Sequence, residues 1–163
     1  MAILDKRKTD DRVPVNSESF FYSSCILTPA DIHIDIILAS FPRGNFQIMG
    51  PPVVEVIEAF DGAAALDFGR GTIATDIITT GGVLTVVDAD EYVKTADLTL
   101  GTIGIYQAAT SDLVTALGAG TGDAMLIKGA AAAVPCITAV LGGAPTVGKA
   151  RLHMVLMKIP TAG

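Results

Sequence analysis

The stretch that most directly indicates the fold runs from residue 53 to residue 68. It reads Val53-Val54-Glu55-Val56-Ile57-Glu58-Ala59-Phe60, then Asp61-Gly62, then Ala63-Ala64-Ala65-Leu66-Asp67-Phe68. Short apolar runs flank Asp61-Gly62 on both sides, as in strands joined by a turn. An Asp-Gly pair tolerates the positive φ angles of a type I′ turn, whose twist matches the strands it joins. We therefore predict an antiparallel β-hairpin of residues 53–60 and 63–68.

Similar short apolar runs recur from Phe20 onward, separated by Gly, Pro, Asp and Thr. Residues 32–36 alternate Ile-His-Ile-Asp-Ile, which places three isoleucines on one face of a strand and His33 and Asp35 on the other. Further strands are predicted at residues 83–87, 102–106, 124–127, 134–140 and 149–159. One short helix is predicted at residues 111–117, with Ser111 as its N-cap. Many short strands and little helical periodicity predict an all-β sandwich or barrel.

Composition favours a protein that covers part of its surface with a partner. The chain has 163 residues, enough for one domain, and half of them are hydrophobic although only 6% are aromatic. Charged residues make up 17%, below the roughly 25% of an average soluble domain. No apolar run reaches the 18 or so residues of a membrane-spanning helix, and no apolar segment follows the N-terminal charges as in a secretion signal. We expect oligomerisation or docking, and no membrane contact.

The first twenty residues differ from the rest of the chain. They are polar and aperiodic, so we predict an extended N-terminal arm at residues 1–20 and a β-sandwich domain at residues 21–163. The net charge is −6, yet residues 1–12 carry four basic and three acidic side chains, so the body is acidic and nucleic-acid binding is not expected. The arm is predicted to contact a neighbouring subunit through Ile3, Leu4, Lys6, Arg7, Lys8, Arg12 and Val13.

A phosphate-binding loop is the strongest motif match in the chain. Residues 143–149 have the spacing GxxxxGK, but Ala150 replaces the hydroxyl residue that binds Mg²⁺. Such a loop also needs a following helix, whereas the next residues are predicted to form a strand. We therefore interpret residues 143–149 as a turn between two strands that binds no nucleotide.

Other reactive residues lack a supporting motif. Cys25 and Cys136 follow no metal spacing and are expected to be reduced, buried thiols. His33 and His153 lie in predicted strands, and a Cys–His nucleophile pair stays a minor alternative. Asp88-Ala89-Asp90-Glu91 is interpreted as a solvated loop, with a bound cation as the less favoured alternative. Glu55 and Glu58 are three residues apart, which places them on opposite strand faces and argues against a joint acid–base role. No cofactor or catalytic residue is predicted.

Three segments carry a resemblance to a known class of proteins. They are residues 31–44, residues 53–69 with Glu58-Ala59-Phe60-Asp61-Gly62 and Leu66-Asp67-Phe68-Gly69, and residues 142–155 with Gly142-Gly143-Ala144-Pro145-Thr146-Val147-Gly148-Lys149-Ala150-Arg151. This pattern resembles small virion proteins of tailed bacteriophages, in which such a hairpin and such a last strand recur. The resemblance implies a jelly-roll-like β-sandwich that serves as a capsid decoration or cement protein, and it transfers no catalytic residues.

The expected function is that of a structural, non-enzymatic virion protein that binds and stabilises the major capsid shell. Low charge and small apolar side chains favour a tightly packed homo-oligomer, with a trimer as the expected state. Its expected location is the capsid surface, and the host cytoplasm during assembly. Alternatives are a neck, tail or fibre-base component of the virion and a carbohydrate-binding β-sandwich, the latter disfavoured because the chain has no Trp and few other aromatic residues for stacking on sugar.

Overall fold

The structure, a computed structural model, describes residues 3–7, 19–74, 83–108, 126–130 and 132–159. They form two β-sheets that pack face to face, which confirms the predicted all-β sandwich. The first sheet has the order β1 (Leu4–Asp5), β3 (His33–Ser40), β10 (Val134–Gly142), β6 (Ala65–Ile73), β7 (Leu84–Val93). The second has the order β8 (Gly104–Gln107), β5 (Val53–Glu58), β11 (Lys149–Ile159), β4 (Asn45–Ile48), β9 (Leu126–Lys128), with β2 (Ser19–Ser23) also paired to β11.

Strand β11 is the centre of the second sheet and has the predicted bounds 149–159. Its even-numbered residues from Ala150 to Leu156 are buried, and the odd-numbered residues face outward. One edge of β11 pairs with β2, and the other pairs first with β5 and then with β4. The Met49 N–H donates to the Val155 carbonyl between these two segments. Strands β4 and β5 therefore form one line beside β11.

The core between the sheets consists mainly of aliphatic side chains. Three phenylalanines, Phe41, Phe46 and Phe68, are fully buried among Ile, Leu and Val residues of both sheets. Two 3₁₀ turns, Pro29–Asp31 and Thr95–Asp97, connect strands at the surface of this core. None of the described residues belongs to a helix that is long and apolar enough to cross a membrane.

A second, smaller apolar cluster lies on the outer face of the first sheet. Along β10 the residues Ile137, Ala139 and Leu141 belong to the main core, whereas the alternating residues Val134 and Cys136 belong to this second cluster. Ile37 and Ile73 complete it, and Ile3 and Leu84 pack against it. Because successive side chains of a strand point to opposite faces, the first sheet carries apolar packing on both sides.

The prediction that residues 1–20 lie outside the sandwich is wrong for residues 3–7, and also for Ser19 and Phe20, which begin strand β2. Strand β1 pairs in parallel with β3, Ile3 packs on the outer cluster and Leu4 on the main core. Two apolar residues are too few to show a strand period, and their partner strand is about thirty residues away, so local pattern could not reveal this pairing. Lys8, Arg12 and Val13 lie outside the described residues.

The predicted hairpin at Asp61-Gly62 is also wrong, although both strands exist. Strand β5 lies in the second sheet and β6 in the first, so residues 59–64 cross from one sheet to the other. Phe60 is only 5% exposed and its N–H donates to the Leu100 carbonyl. A strand pattern followed by Asp-Gly is compatible with a hairpin or with a crossover, because both bury one face of each strand.

A second crossover, residues 143–148, joins β10 to β11 beside the first. The Asp61 carboxylate links the two, since it accepts hydrogen bonds from the Thr146 N–H (2.5 Å), the Thr146 hydroxyl (2.6 Å) and the Val147 N–H (3.0 Å). A Cβ on Gly143 would lie 2.1 Å from the Ala63 carbonyl oxygen, and one on Gly148 would lie 2.2 Å from the Phe60 ring. The glycines of the GxxxxGK spacing thus permit close packing of two crossovers.

Some of the remaining predicted elements are found and others are not. The strands predicted at 83–87, 102–106 and 134–140 are found with shifted ends. Strand β7 continues to Val93, so residues 88–91 belong to a strand and not to the predicted loop. Ile36 is buried, whereas Ile32 and Ile34 are exposed near the start of β3. The helix predicted at 111–117 lies outside the described residues.

Candidate interaction surface on the second sheet

The outward face of the second sheet carries apolar side chains where solvent-facing positions are expected to be polar. Phe21 on β2 lies opposite Val155 on β11, and Met49 lies on the other side of Val155. Met157 is the next outward residue of β11. Phe21 is 66% exposed, and the other three are also exposed. We name these four residues, Phe21, Met49, Val155 and Met157, the outer patch. An antiparallel sheet with one face in water normally alternates apolar and polar residues.

A polar network borders the outer patch one row further along β11. His153 is hydrogen-bonded through Nδ1 to the Ser23 hydroxyl (2.8 Å) and through Nε2 to Glu55 Oε2 (2.9 Å). The Arg151 Nε also donates to Glu55 Oε2 (2.7 Å). The bonds from His153 and then from Arg151 lower the pKa of Glu55. Because an ionised carboxylate only accepts hydrogen bonds, a neutral His153 carries its proton on Nε2 and accepts from Ser23.

This network holds the one aromatic ring of the outer patch, that of Phe21, in place. The rings of Phe21 and His153 stack with their centroids 5.3 Å apart and their planes at 27°. Since His153 is held at both ring nitrogens, it gives Phe21 a rigid support. An exposed apolar side chain that is already ordered loses less conformational entropy when a partner covers it.

The polar network has the composition of a Ser-His-acid catalytic relay, with Ser23, His153 and Glu55 as its members, but its geometry does not support catalysis. Ser23 lies inside the β2–β11 ladder, and the next backbone N–H, that of Ser24, donates to the Leu152 carbonyl (2.9 Å). That N–H is therefore not available to an oxyanion. Glu55 is shared with Arg151, and the three side chains lie across adjacent strands of one sheet face. This arrangement suits a cross-strand hydrogen-bond ladder.

The other histidine and the cysteines are placed elsewhere. The His33 Nδ1 accepts the Asp35 N–H (3.0 Å) within its own strand. Neither Cys25 nor Cys136 forms a disulfide, and burial raises the pKa of Cys136 to about 12. Cys136 is buried as predicted, whereas Cys25 is only partly buried. A thiol with a raised pKa is a weak nucleophile near neutral pH.

The acidic candidates each have a basic or acidic neighbour of their own. Glu58 pairs with Lys149 (2.7 Å), the lysine of the GxxxxGK spacing, while Glu55 pairs with Arg151 and His153. Glu91 pairs with Arg70 (2.6 Å), and a hydrogen bond with Asp88 raises the pKa of Asp90. Within the described ranges no three His, Cys, Asp or Glu side chains are grouped so that they could hold a metal ion.

Of the predicted N-terminal contact residues, the four that the structure describes, Ile3, Leu4, Lys6 and Arg7, do not belong to the outer patch. Ile3 and Leu4 pack on the sandwich, Lys6 pairs with Asp31 (3.0 Å), and Arg7 bonds Asp5 and the Ser40 hydroxyl. Their predicted role in binding a partner stays a prediction. One sequence signal for the outer patch was visible in β11, which is apolar at Val155 and Met157 as well as at the buried positions between them.

Comparison of the chain with protein-family models, with curated protein sequences and with solved structures found no match in any of the three. The function is therefore inferred from the residues and geometry of the chain itself.

Proposed function

We propose that the protein is a non-enzymatic structural subunit of a tailed-phage particle that binds the major capsid protein as a decoration or cement protein. The observation that carries the proposal is the outer patch, a group of apolar side chains held on the face of a well-packed sheet. The sequence resemblance to small virion proteins supports the choice of particle.

The composition of this face matches that of protein interfaces. Interfaces have an apolar centre enriched in aromatic residues and Met, surrounded by polar residues that stay partly in water. Phe21, Met49 and Met157 supply such a centre, and Glu55 and Arg151 border it. Binding energy concentrates in a few well-packed side chains, and Phe21 on the His153 ring is the strongest candidate for such a residue.

The fixed conformation of the second sheet favours a partner that is itself folded. Strand β11 pairs along both edges, and its inward residues are buried in the core, so the outer patch is presented without a folding step. A repeated, rigid contact suits a subunit that bridges neighbouring copies of one shell protein. We expect a homotrimer at symmetry axes of the shell as the assembled form.

The test is the occupancy of the protein on purified particles. Mass spectrometry should detect it at a fixed copy number relative to the major capsid protein. The double variant Phe21→Ser with Val155→Thr should raise the dissociation constant for particles at least about tenfold, a loss of roughly 1.4 kcal/mol or more per site, and so lower occupancy at concentrations below saturation. A matched control, Val83→Ser with Val86→Thr, changes two exposed apolar residues at the edge of the first sheet and should leave occupancy unchanged.

Two results would contradict the proposal. One is the absence of the protein from particles. The other is equal occupancy of the patch variant and the wild type, with circular dichroism showing that both are folded.

A further inference from the structure

A cavity of about 170 Å³ lies between the two sheets, at the end opposite to the crossovers. Its walls come from β6, β7 and the start of β10 in the first sheet and from the edge strand β9 in the second. Phe41, Tyr92 and Ile127 supply apolar surface, and these three side chains are themselves buried. Apolar cavities of about 150 Å³ accept molecules the size of benzene.

The charged residues in the lining are all basic. Arg70 and Lys128 line the cavity, and no acidic side chain among the described residues does so. This is unusual in a chain whose net charge is −6. A mainly apolar, partly open pocket with cations at its wall has the chemistry of a site for an apolar molecule that carries one negative charge.

The hydrogen-bonding capacity of Arg70 is only partly used within the protein. Its Nε lies 2.6 Å from Glu91 Oε2, yet neither atom has an aligned hydrogen-bond partner. The Glu91 side chain is 9% exposed, and burial raises its pKa to about 7 despite the attraction of Arg70. Glu91 is thus only partly ionised near neutral pH. A planar guanidinium can bind a carboxylate through two parallel hydrogen bonds.

We propose that this cavity binds a small monocarboxylate with an apolar body of about six or seven carbon atoms, with the carboxylate on Arg70 and the body against Phe41, Tyr92 and Ile127. The site is independent of the outer patch, which lies on the outward face of the second sheet. It therefore adds a small-ligand site to a protein whose proposed function needs only protein contacts.

The test compares benzoate with benzyl alcohol, which has a similar shape and no charge, by calorimetry and ligand-observed NMR on the full chain. Benzoate should bind at one site with an affinity on the order of millimolar, at least about tenfold more tightly than benzyl alcohol. Arg70→Met should remove this preference. Arg43→Met is the matched control, because Arg43 is an exposed arginine outside the cavity lining, and it should leave the preference unchanged.

A second variant keeps the test decisive if Arg70→Met fails to fold. Val87 lines the cavity and is more than half exposed, so Val87→Phe obstructs the cavity without overpacking the core, and it should abolish binding of both compounds. The proposal is overturned if the wild type shows no saturable benzoate binding up to about 20 mM. It is equally overturned if both compounds bind alike, or if folded Arg70→Met or Val87→Phe binds benzoate as the wild type does.

Discussion

Replacement of Thr138 by valine should stabilise the protein. Thr138 lies in β10 on the outer face of the first sheet, is 2% exposed, and its hydroxyl has no hydrogen-bond partner among the described residues. It lies opposite Gly69 on one side and Ile37 on the other, next to the small apolar cluster. Valine has nearly the same shape, so Thr138→Val removes the unpaired hydroxyl and leaves the packing in place.

The expected gain follows from the cost of burying that hydroxyl. An unpaired buried polar group costs about 1–3 kcal/mol in proteins. Some of this is relieved in the native state by small movements, so we expect the free energy of unfolding to rise by about 1–2 kcal/mol. For a domain of this size the midpoint of thermal unfolding should rise by roughly 2–6 °C.

Urea unfolding measures this change, provided that the dependence on urea concentration is the same for both proteins. Thr85→Val is the matched control, because Thr85 is exposed on the edge strand β7, and its effect should stay within about 0.5 kcal/mol. If Thr138→Val lowers the free energy of unfolding, the hydroxyl has a bonding partner such as a buried water, and the reasoning is refuted.

Three further predictions concern Glu91, the first strand and Asp61. The pKa of Glu91 is raised to about 7 in the folded protein, so its contribution to the free energy of unfolding is complete below about pH 4.5 and is lost as the pH rises to about 7. We put this loss at about 1–2 kcal/mol after solvent screening. In urea unfolding at pH 5 and pH 8, Glu91→Gln should show a smaller difference between the two pH values than the wild type does. Ile3→Ala with Leu4→Ala should lower the free energy of unfolding by about 1–3 kcal/mol, because both side chains pack on the sandwich, whereas an unchanged value would restore the predicted free arm. The Asp61 bonds to Thr146 and Val147 lower its pKa to about 2, so the wild type should lose stability as the pH falls from about 4 to about 2, and Asp61→Asn should show a smaller loss over that range in acid-unfolding curves; identical curves would count against the link between the crossovers.

The sequence predicts strands better than it predicts which sheet they join. Strand β11 has the predicted bounds because its apolar and turn residues mark both ends locally. The hairpin predicted at Asp61-Gly62 was wrong because a Gly at positive φ is compatible with a crossover as well as with a hairpin. Only the distant contacts of Phe60 and Asp61 distinguish the two. Ile3 and Leu4 were misplaced for the same reason, since their partners in β3 are remote in sequence.

The candidate surface was harder to predict than the strands. Val155 and Met157 mark β11 as apolar on both faces, but their neighbours Phe21 and Met49 come from other parts of the chain. The network of Ser23, His153 and Glu55 depends on the register of three strands, and a shift by one residue would turn each side chain to the other face. Register of this kind is set by tertiary packing and not by local pattern.

The linked crossovers also have a consequence for local opening of the sandwich. Asp61 ties residues 59–64 to residues 143–148 at one end, where Phe60 and the two glycines pack closely, while the cavity separates the sheets at the other end. We therefore expect fluctuations that part the sheets to begin beside the cavity and to pivot about the crossovers. Amide hydrogen exchange should accordingly grade along single strands, with residues 66–68 of β6 exchanging more slowly than residues 71–73 of the same strand.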